Sequence, residues 1–451
     1  MAWGGGWFCA SGLGMPAEAT LFSVRLQPDR TSAGLCTWKY AMLLSRLGSL
    51  RVVSKESTRE EETRTDRAFR GDMAEGVEVV ALQGPGRPDN VPKGQRAATP
   101  WIVRKGRAAI VYATGFAPQE WGWVRAWREY AKQHLMRSSK ERFALAFGAG
   151  MDFTPHMALA SLARGIPWVA YYHDPWPGHL YPEPYRWKRS IPGWHQERWH
   201  RRILGRAPAL AFPSERLRDW VLCGDLAPLR AKAFILPHLA SGPELPMLEN
   251  CAGLPEAFKP SDFNVVHAGT LLRHRSPWAL LSGFSRFASR DPERVERAKL
   301  WLVGWVDRHL APDPRWRGMT AARGIHVINN RVSYEDSMRL LFHATAGVIV
   351  EAVAAESPFY PGKLADLLYL RKPILAVTPA RSTVRDMLGD GYPLLCEPDC
   401  PEEVERKLEL LWEAWREGRS DRYAPPERAV EMASPERALR EIERIGEFLR
   451  C

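Results

Sequence analysis

Ser357-Pro-Phe-Tyr-Pro-Gly-Lys363-Leu-Ala-Asp366 places a helix start, a cation and a carboxylate side by side. Pro361 and Gly362 force a turn, so a helix is expected to begin near Lys363. The unpaired N–H groups and positive dipole end of such a helix attract anions. Lys363 adds a point charge there. Asp366, nearly one turn on, can face the same cleft and accept hydrogen bonds from hydroxyls. A phosphate attractor beside a hydroxyl acceptor suits a nucleotide-sugar. The same pattern also describes an ordinary loop–helix–strand crossover whose lysine is merely solvated.

Two further stretches carry groups of the same kind. Val265-Val-His-Ala-Gly269-Thr270-Leu-Leu-Arg273-His-Arg275-Ser-Pro-Trp reads as an apolar strand that ends at Gly269-Thr270. A backbone without a side chain there lets a ligand approach closely. Arg273 and Arg275 follow on the loop, before a helix starting near Ser276-Pro277. The planar guanidinium fork suits two phosphate oxygens at once. With Lys363 it makes a diphosphate clamp able to stabilise a departing nucleoside diphosphate without a metal. Gly165-Ile-Pro-Trp-Val-Ala-Tyr-Tyr-His173-Asp174-Pro-Trp176 puts His173 and Asp174 just past a hydrophobic strand. An aromatic loop through Trp176, Tyr181 and Tyr185 follows. Aromatics stack on sugar faces, and His and Asp hydrogen-bond hydroxyls, so this end suits a sugar. The glycine-rich exit Ala146-Phe-Gly-Ala-Gly150 lacks the spacing of a dinucleotide fingerprint.

These groups must be positioned by the elements around them, and short apolar runs alternate with helical patterns twice along the chain. In the first series Ala19–Leu26, Leu50–Ser54, Val77–Ala81, Phe143–Phe147, Trp168–Tyr172, Leu210–Phe212 and Ala233–Leu236 read as strands. Thr37–Leu47, Tyr112–His134, Ala158–Arg164 and Glu215–Leu222 read as helices. A Pro/Gly-broken stretch at 240–262 suits a linker. The second series has strands at Phe263–Ala268, Lys299–Val303, Ile325–Ile328, Gly347–Val350 and Ile374–Val377, with helices between them and two charged helices, Pro401–Arg416 and Pro435–Arg450, to close. Such alternation predicts an α/β protein of two Rossmann-like, doubly wound parallel-sheet domains facing a central cleft. Ligands bind at the C-terminal edges of such strands. The expected layout is a disordered or mis-assigned start at 1–18, with translation from Met15 as one account of it, then an N-terminal acceptor-binding domain at 19–245. A nucleotide-sugar-binding domain follows at 246–430, and a last helix at 431–451 packs back towards the first domain.

Length and composition agree with a soluble two- to three-domain protein: 451 residues, 45% hydrophobic and 25% charged. The net charge of +11 lies entirely in residues 1–250, since 251–451 balance. A basic half favours a phosphorylated substrate, nucleic acid or anionic lipid. No nucleic-acid signature, P-loop or nucleophile elbow appears. Seven scattered cysteines, with only Cys396 and Cys400 close together, give neither a zinc pattern nor a disulfide framework, so no metal is expected and a reducing cytoplasm is. The glycine-broken, uncharged opening is no signal peptide, and no apolar run is long enough to span a bilayer, which leaves peripheral membrane contact only.

Together these stretches resemble a GT-B-fold glycosyltransferase of the retaining family-4 type. The resemblance rests on Gly165-Ile-Pro…His173, on Gly269-Thr270…Arg275 with its Arg-Ser-Pro-x-x-Leu-Leu context, and on Pro361-Gly-Lys363…Asp366…Lys372-Pro373. It implies that His173, with Asp174, serves the transferred sugar. Arg275, Lys363 and more weakly Arg273 would hold the diphosphate, Asp366 the ribose, and the backbone near Arg331-Val332 the base. Gly269, Thr270, Ser357 and Gly362 complete the donor set. It further implies a nucleoside-diphosphate sugar as donor substrate with no cofactor, a glycan or lipid-linked acceptor, and work in the cytoplasm or at the inner face of the cell membrane. The chain departs from the family in two places. The usual pair of glutamates eight positions apart is reduced to Asp366, with Pro358 where the first should stand and Glu356 near it. The glycine-rich loop after the first strand shrinks to Pro28-Asp-Arg-Thr-Ser-Ala-Gly34. These departures raise the alternative of a catalytically degenerate GT-B protein that binds a glycan or a partner enzyme. A non-hydrolysing nucleotide-sugar epimerase would need cleft carboxylates for proton transfer, and no convincing set is present.

Overall fold

The computed structural model describes residues 18–24, 26, 31–55, 77–84, 101–135, 142–162, 166–275 and 277–450. The expected start at 1–18 falls almost wholly outside them, as does Gly165. The described chain forms two compact units, 18–181 with 185–236 and 438–450, and 182–184 with 237–437.

The first unit is built on a seven-stranded, all-parallel sheet. Its strands are β1 (Glu18–Ser23), β2 (Ser49–Lys55), β3 (Val77–Leu82), β4 (Arg142–Gly148), β5 (Trp168–Tyr172), β6 (Ala209–Phe212) and β7 (Ala233–Ile235), in the order β3-β2-β1-β4-β5-β6-β7. Every residue of β5 and β6 is buried, as expected of parallel strands covered on both faces. Ala146 sits opposite Phe22 on one side and Ala170 on the other, so small residues line the centre of the sheet. Large rings fill the space beside it, where Phe153 stacks on Trp176 at 4.8 Å and Tyr172 on Phe212 at 5.6 Å.

The helices of this unit differ from the sequence reading in three main places. The helix read over Ala158–Arg164 runs instead over Thr154–Ala160, with Pro155 in its first turn. Tyr112–His134 is not one helix. Gly115, at φ +83°, ends a helix at Trp101–Thr114, and a second starts at Pro118–His134. A Cβ at Gly115 would lie 2.8 Å from the Pro192 carbonyl oxygen, so this sharp corner requires glycine. The Ile191–Arg206 helix was not anticipated, although its signal is present. Ser190 caps it by accepting from the Gly193 N–H at 3.2 Å, and Pro192 sits in the first turn.

The second unit has a six-stranded parallel sheet of β8 (Phe263–Ala268), β9 (Ala298–Val303), β10 (Ile325–Ile328), β11 (Ala346–Val350), β12 (Ile374–Val377) and β13 (Leu395–Cys396), in the order β10-β9-β8-β11-β12-β13. Each sheet therefore reverses direction of growth once, at β1/β4 and at β8/β11. These reversals open crevices at the strand C-termini. Most of the final helix, Pro435–Arg450, belongs to the first unit, where Phe448 packs edge-on against Phe234 of β7 at 5.4 Å.

Candidate active site

The second unit brings two of the expected cations to its switch point. β8 ends at Ala268, and the backbone N–H of Gly269 that follows donates to Val303 O at 2.8 Å. The loop turns at Arg275, whose N–H donates to Leu272 O, and Pro277 precedes the Trp278–Ala288 helix. Pro361 precedes the Gly362–Tyr369 helix, so Lys363 lies in its first turn, as the sequence implied. Between the two loops lies His267 of β8, buried, with its Nδ1–H donated to Val348 O of β11 at 3.1 Å. Burial lowers its pKa to about 4, and the charges of Arg275 and Lys363 push it the same way. Two cations from loops far apart in sequence thus act on one ring at the β8/β11 reversal. Arg273 is exposed on the same loop.

Within the protein itself the tight backbone approach at this turn is made by Gly304. A Cβ on Gly269 would meet only ordinary contacts, the nearest at 3.5 Å from His267. One on Gly304, at φ +133°, would lie 2.4 Å from Gly269 O. Gly304 thus allows the Gly269-Thr270 turn to lie against the end of β9. Beyond it, Trp305 is exposed, and the Arg331 guanidinium lies 5.7 Å from its ring, beside Val332.

The acidic and hydroxyl groups are arranged differently from expectation. Asp366 does not open onto a cleft. It is fully buried and accepts from the Tyr334 hydroxyl at 2.9 Å and from Lys363 Nζ at 3.3 Å. Lys363 also reaches Ser337 Oγ at 3.4 Å. A short aspartate three residues from the lysine folds back against its own helix. Ser357 is likewise turned inward, its hydroxyl donating to Glu351 Oε1 at 2.6 Å. Glu356 pairs with Arg381 at 2.9 Å, and Pro358 offers only its carbonyl, to Thr383 Oγ1 at 3.1 Å.

Glu351 escaped the sequence reading. It is the first residue after β11, it is buried, and it accepts from both Ser357 and Thr378 hydroxyls. Burial raises its pKa against those two hydrogen bonds and the charge of Arg275. The available signal was a carboxylate directly ending an apolar strand, Gly347-Val-Ile-Val-Glu351.

In the first unit His173 follows β5 directly, buried, its N–H donating to Gly148 O at 2.9 Å. Asp174 Oδ2 accepts from the Gly150 N–H at 2.8 Å, so it holds the glycine-rich exit of β4. Tyr181 closes the same turn by donating to Gly150 O, and burial, then Asp174, push its phenol pKa up. Asp152 accepts from Lys55 Nζ at 2.5 Å and from Thr154 Oγ1 at 2.7 Å, with Lys55 4.8 Å over the Trp123 ring. Trp176, read as part of a sugar platform, is instead a core residue. It is fully buried against Phe153, Phe116 and His200, because the aromatic loop folds inward immediately after Asp174.

Residues 67–238 match the model of the family described as Glycosyltransferase Family 4. Among solved structures, the chain is similar to Anabaena HepE in complex with UDP and glucose, at 12% identity with a TM-score of 0.59, over 94% of this chain and 98% of that one. It is also similar to a UDP-forming trehalose-phosphate synthase from Burkholderia xenovorans, at 12% identity and TM-score 0.60, over 95% and 100%. TarM gives 8% identity and TM-score 0.60, over 95% and 98%. No curated protein sequence matches. These structural likenesses establish the GT-B fold for both units.

Proposed function

We propose that this chain, a GT-B glycosyltransferase of the family-4-like type, moves a sugar from a nucleoside-diphosphate sugar to a hydroxyl of a glycan or lipid-linked acceptor, with retention at the anomeric carbon. The observation that carries the donor reading is the placing of Arg275 on the loop after β8 and of Lys363 in the first turn of the helix after β11, the two neighbouring strands of the switch point. HepE has been crystallised with UDP-glucose, which supports a donor of that class. In this reading the anomeric carbon loses its bond to the diphosphate oxygen and gains one to the acceptor oxygen. The departing diphosphate, its charge met by Arg275 and Lys363 with Arg273 at the rim, takes the acceptor's proton.

The backbone of Gly269, Thr270 and Gly362 lines the phosphates, and the backbone near Val332 receives the base. Asp366 is assigned to the ribose, a role that requires the start of its helix to shift and uncover the carboxyl now held by Tyr334 and Lys363. Ser357 is assigned to the donor, and its hydroxyl is held by Glu351. His173 is assigned to the transferred sugar, with Asp174 holding the loop beside it. We place the enzyme, on the charge of its first half, at an anionic membrane surface. No helix among the described residues is long and apolar enough to cross a membrane.

Arg275→Ala and Lys363→Ala should each lower nucleotide-sugar turnover by about 100-fold or more while circular dichroism stays native. Turnover at the parental rate in both variants would remove the site assignment. Screening hydrolysis of a nucleotide-sugar panel identifies the donor. The second reading, a GT-B protein that binds without catalysing, is favoured by one observation: no described carboxylate of the loop 351–366 is without an internal partner. Calorimetric titration with UDP and GDP separates the two, since binding of neither supports the second.

A further inference from the structure

Among the described residues of the first unit, one surface is left exposed by the packing. The Trp101–Thr114 helix has no buried residue at all. Ile102, Gly106, Ala109, Ile110 and Ala113 share one face of it by their three- and four-residue spacing, and all five are exposed. Lys105 borders that face on one side and Arg107 on the other. Lys105 Nζ lies 4.0 Å over the ring of Trp101, and Arg104 is the third cation of a helix without an acidic residue. The helix meets its neighbours through its C-terminal end, where Val111 and Thr114 are the half-buried positions.

A second exposed segment joins it at that end. Gln196 of the Ile191–Arg206 helix donates to Gly115 O at 2.8 Å. Trp187, Ile191 and Trp194 are exposed along this segment, and Arg198 lies 4.9 Å from the Trp194 ring. Lys188, Arg189 and Arg202 flank them, and the only acid of the 185–206 stretch, Glu197, is engaged by His179 and Arg189. Of the 13 exposed large hydrophobic residues described, eight lie in these two segments. A soluble protein scatters such residues singly, so a cluster of this kind marks a contact surface.

We infer that the Trp101–Thr114 helix and the Trp187–Trp194 segment form a docking surface for an anionic lipid bilayer, with the Ile102/Ile110 face lying in the interface plane. The composition selects this occupant. Tryptophan and tyrosine rings favour the headgroup level, isoleucines the acyl boundary, and the flanking cations anionic headgroups. A protein partner of comparable apolar area would more often meet a surface depleted of lysine. The inference gives the proposed membrane association a location, and so rests on it.

The test uses the full chain in co-sedimentation with vesicles of phosphatidylcholine alone or with added phosphatidylglycerol, at low and high salt. The wild type should bind the phosphatidylglycerol vesicles, lose binding on phosphatidylcholine, and weaken with salt. Ile102→Ser/Ile110→Ser and Arg104→Gln/Lys105→Gln/Arg107→Gln should each weaken vesicle binding by about tenfold or more. Their exposure predicts unchanged folding, checked by thermal melting, and unchanged titration with UDP or GDP. If the wild type binds anionic vesicles and both variants bind equally well, this surface is wrong while membrane association stands. If the wild type binds neither vesicle, or both alike, the membrane reading itself falls.

Discussion

Glu351 offers the sharpest test of how the donor loops are held. Its carboxyl accepts from the Ser357 hydroxyl at 2.6 Å and from that of Thr378, and Thr378 Oγ1 is 2.8 Å from Ser382 Oγ. Ser382 in turn caps the Thr383–Leu388 helix, and Ser357 exchanges backbone hydrogen bonds with Arg381 and Thr383. One buried carboxyl therefore ties the loop after β11 to the loop after β12, directly ahead of Pro361-Gly-Lys363. Glu351→Ala leaves two buried hydroxyls without this acceptor. At about 1–3 kcal/mol per unsatisfied group, the second unit should lose about 2–6 kcal/mol. Glu351→Gln keeps the volume, and because hydroxyls rotate to donate or accept, it should cost under about 1 kcal/mol near pH 4. The sign with pH follows from burial raising the carboxyl's pKa in the folded state. The folded protein then holds that proton to higher pH than the unfolded chain. The stabilisation is complete below the unfolded value of about 4.3 and is lost as pH rises through the folded one. The Gln variant has no proton to lose, so it should gain on the wild type as pH rises from about 4 to 8. Urea unfolding of both proteins across this range, followed by UDP titration, measures the effect. An Ala variant within about 0.5 kcal/mol of wild type, or a Gln-minus-wild-type difference flat with pH, would refute the reasoning.

Three other outcomes follow from single contacts. Gly304→Ala places a Cβ on the Gly269 carbonyl at a backbone angle disfavoured for alanine, so it should cost about 1–3 kcal/mol in urea unfolding and also weaken nucleotide-sugar binding, seen as a raised KM; an unaltered KM would show that the Gly269-Thr270 turn does not touch the donor. Tyr334→Phe removes the hydrogen bond to Asp366 and should cost about 1 kcal/mol in urea unfolding; a more stable variant would mean that Asp366 gains nothing from Tyr334. His156 and His200 are buried in the first unit with pKa values lowered to about 3 by burial, so each stays neutral when folded and charges when unfolded. Their stabilisation is present above about pH 6.5 and drains away as pH falls towards 3, and His156→Gln should flatten the acid limb of first-unit unfolding between those values; an unchanged limb would contradict it.

The architecture was legible in the sequence because burial on both faces of a parallel strand demands continuous apolar runs, and those runs stand out at Val169–Tyr172, Val265–Ala268 and Ile374–Val377. The start of the Lys363 helix was legible for a similar reason, since proline and glycine restrict the backbone locally. The corner at Gly115 was not, because the helical pattern of Tyr112–His134 continues through it and only a crossing helix requires the turn. Trp176 was misread because a loop aromatic and a core aromatic are the same residue until the loop's path is known. Glu351 was not legible because the family spacing points to position 358, whereas the carboxyl at the strand end makes its contacts only through the folding of two loops.

By itself the sequence determined the two parallel sheets, the cations at their strand ends and the placing of all excess charge in the first half. These follow from local burial and from residue chemistry, both written residue by residue. Only the tertiary structure decided that Arg275 and Lys363 bear on one histidine, that Asp366 is turned inward, and that no residue of the Trp101–Thr114 helix is buried. Those outcomes depend on strand order and on which loops meet. They are set by packing between segments distant in the chain, about which periodicity carries no information.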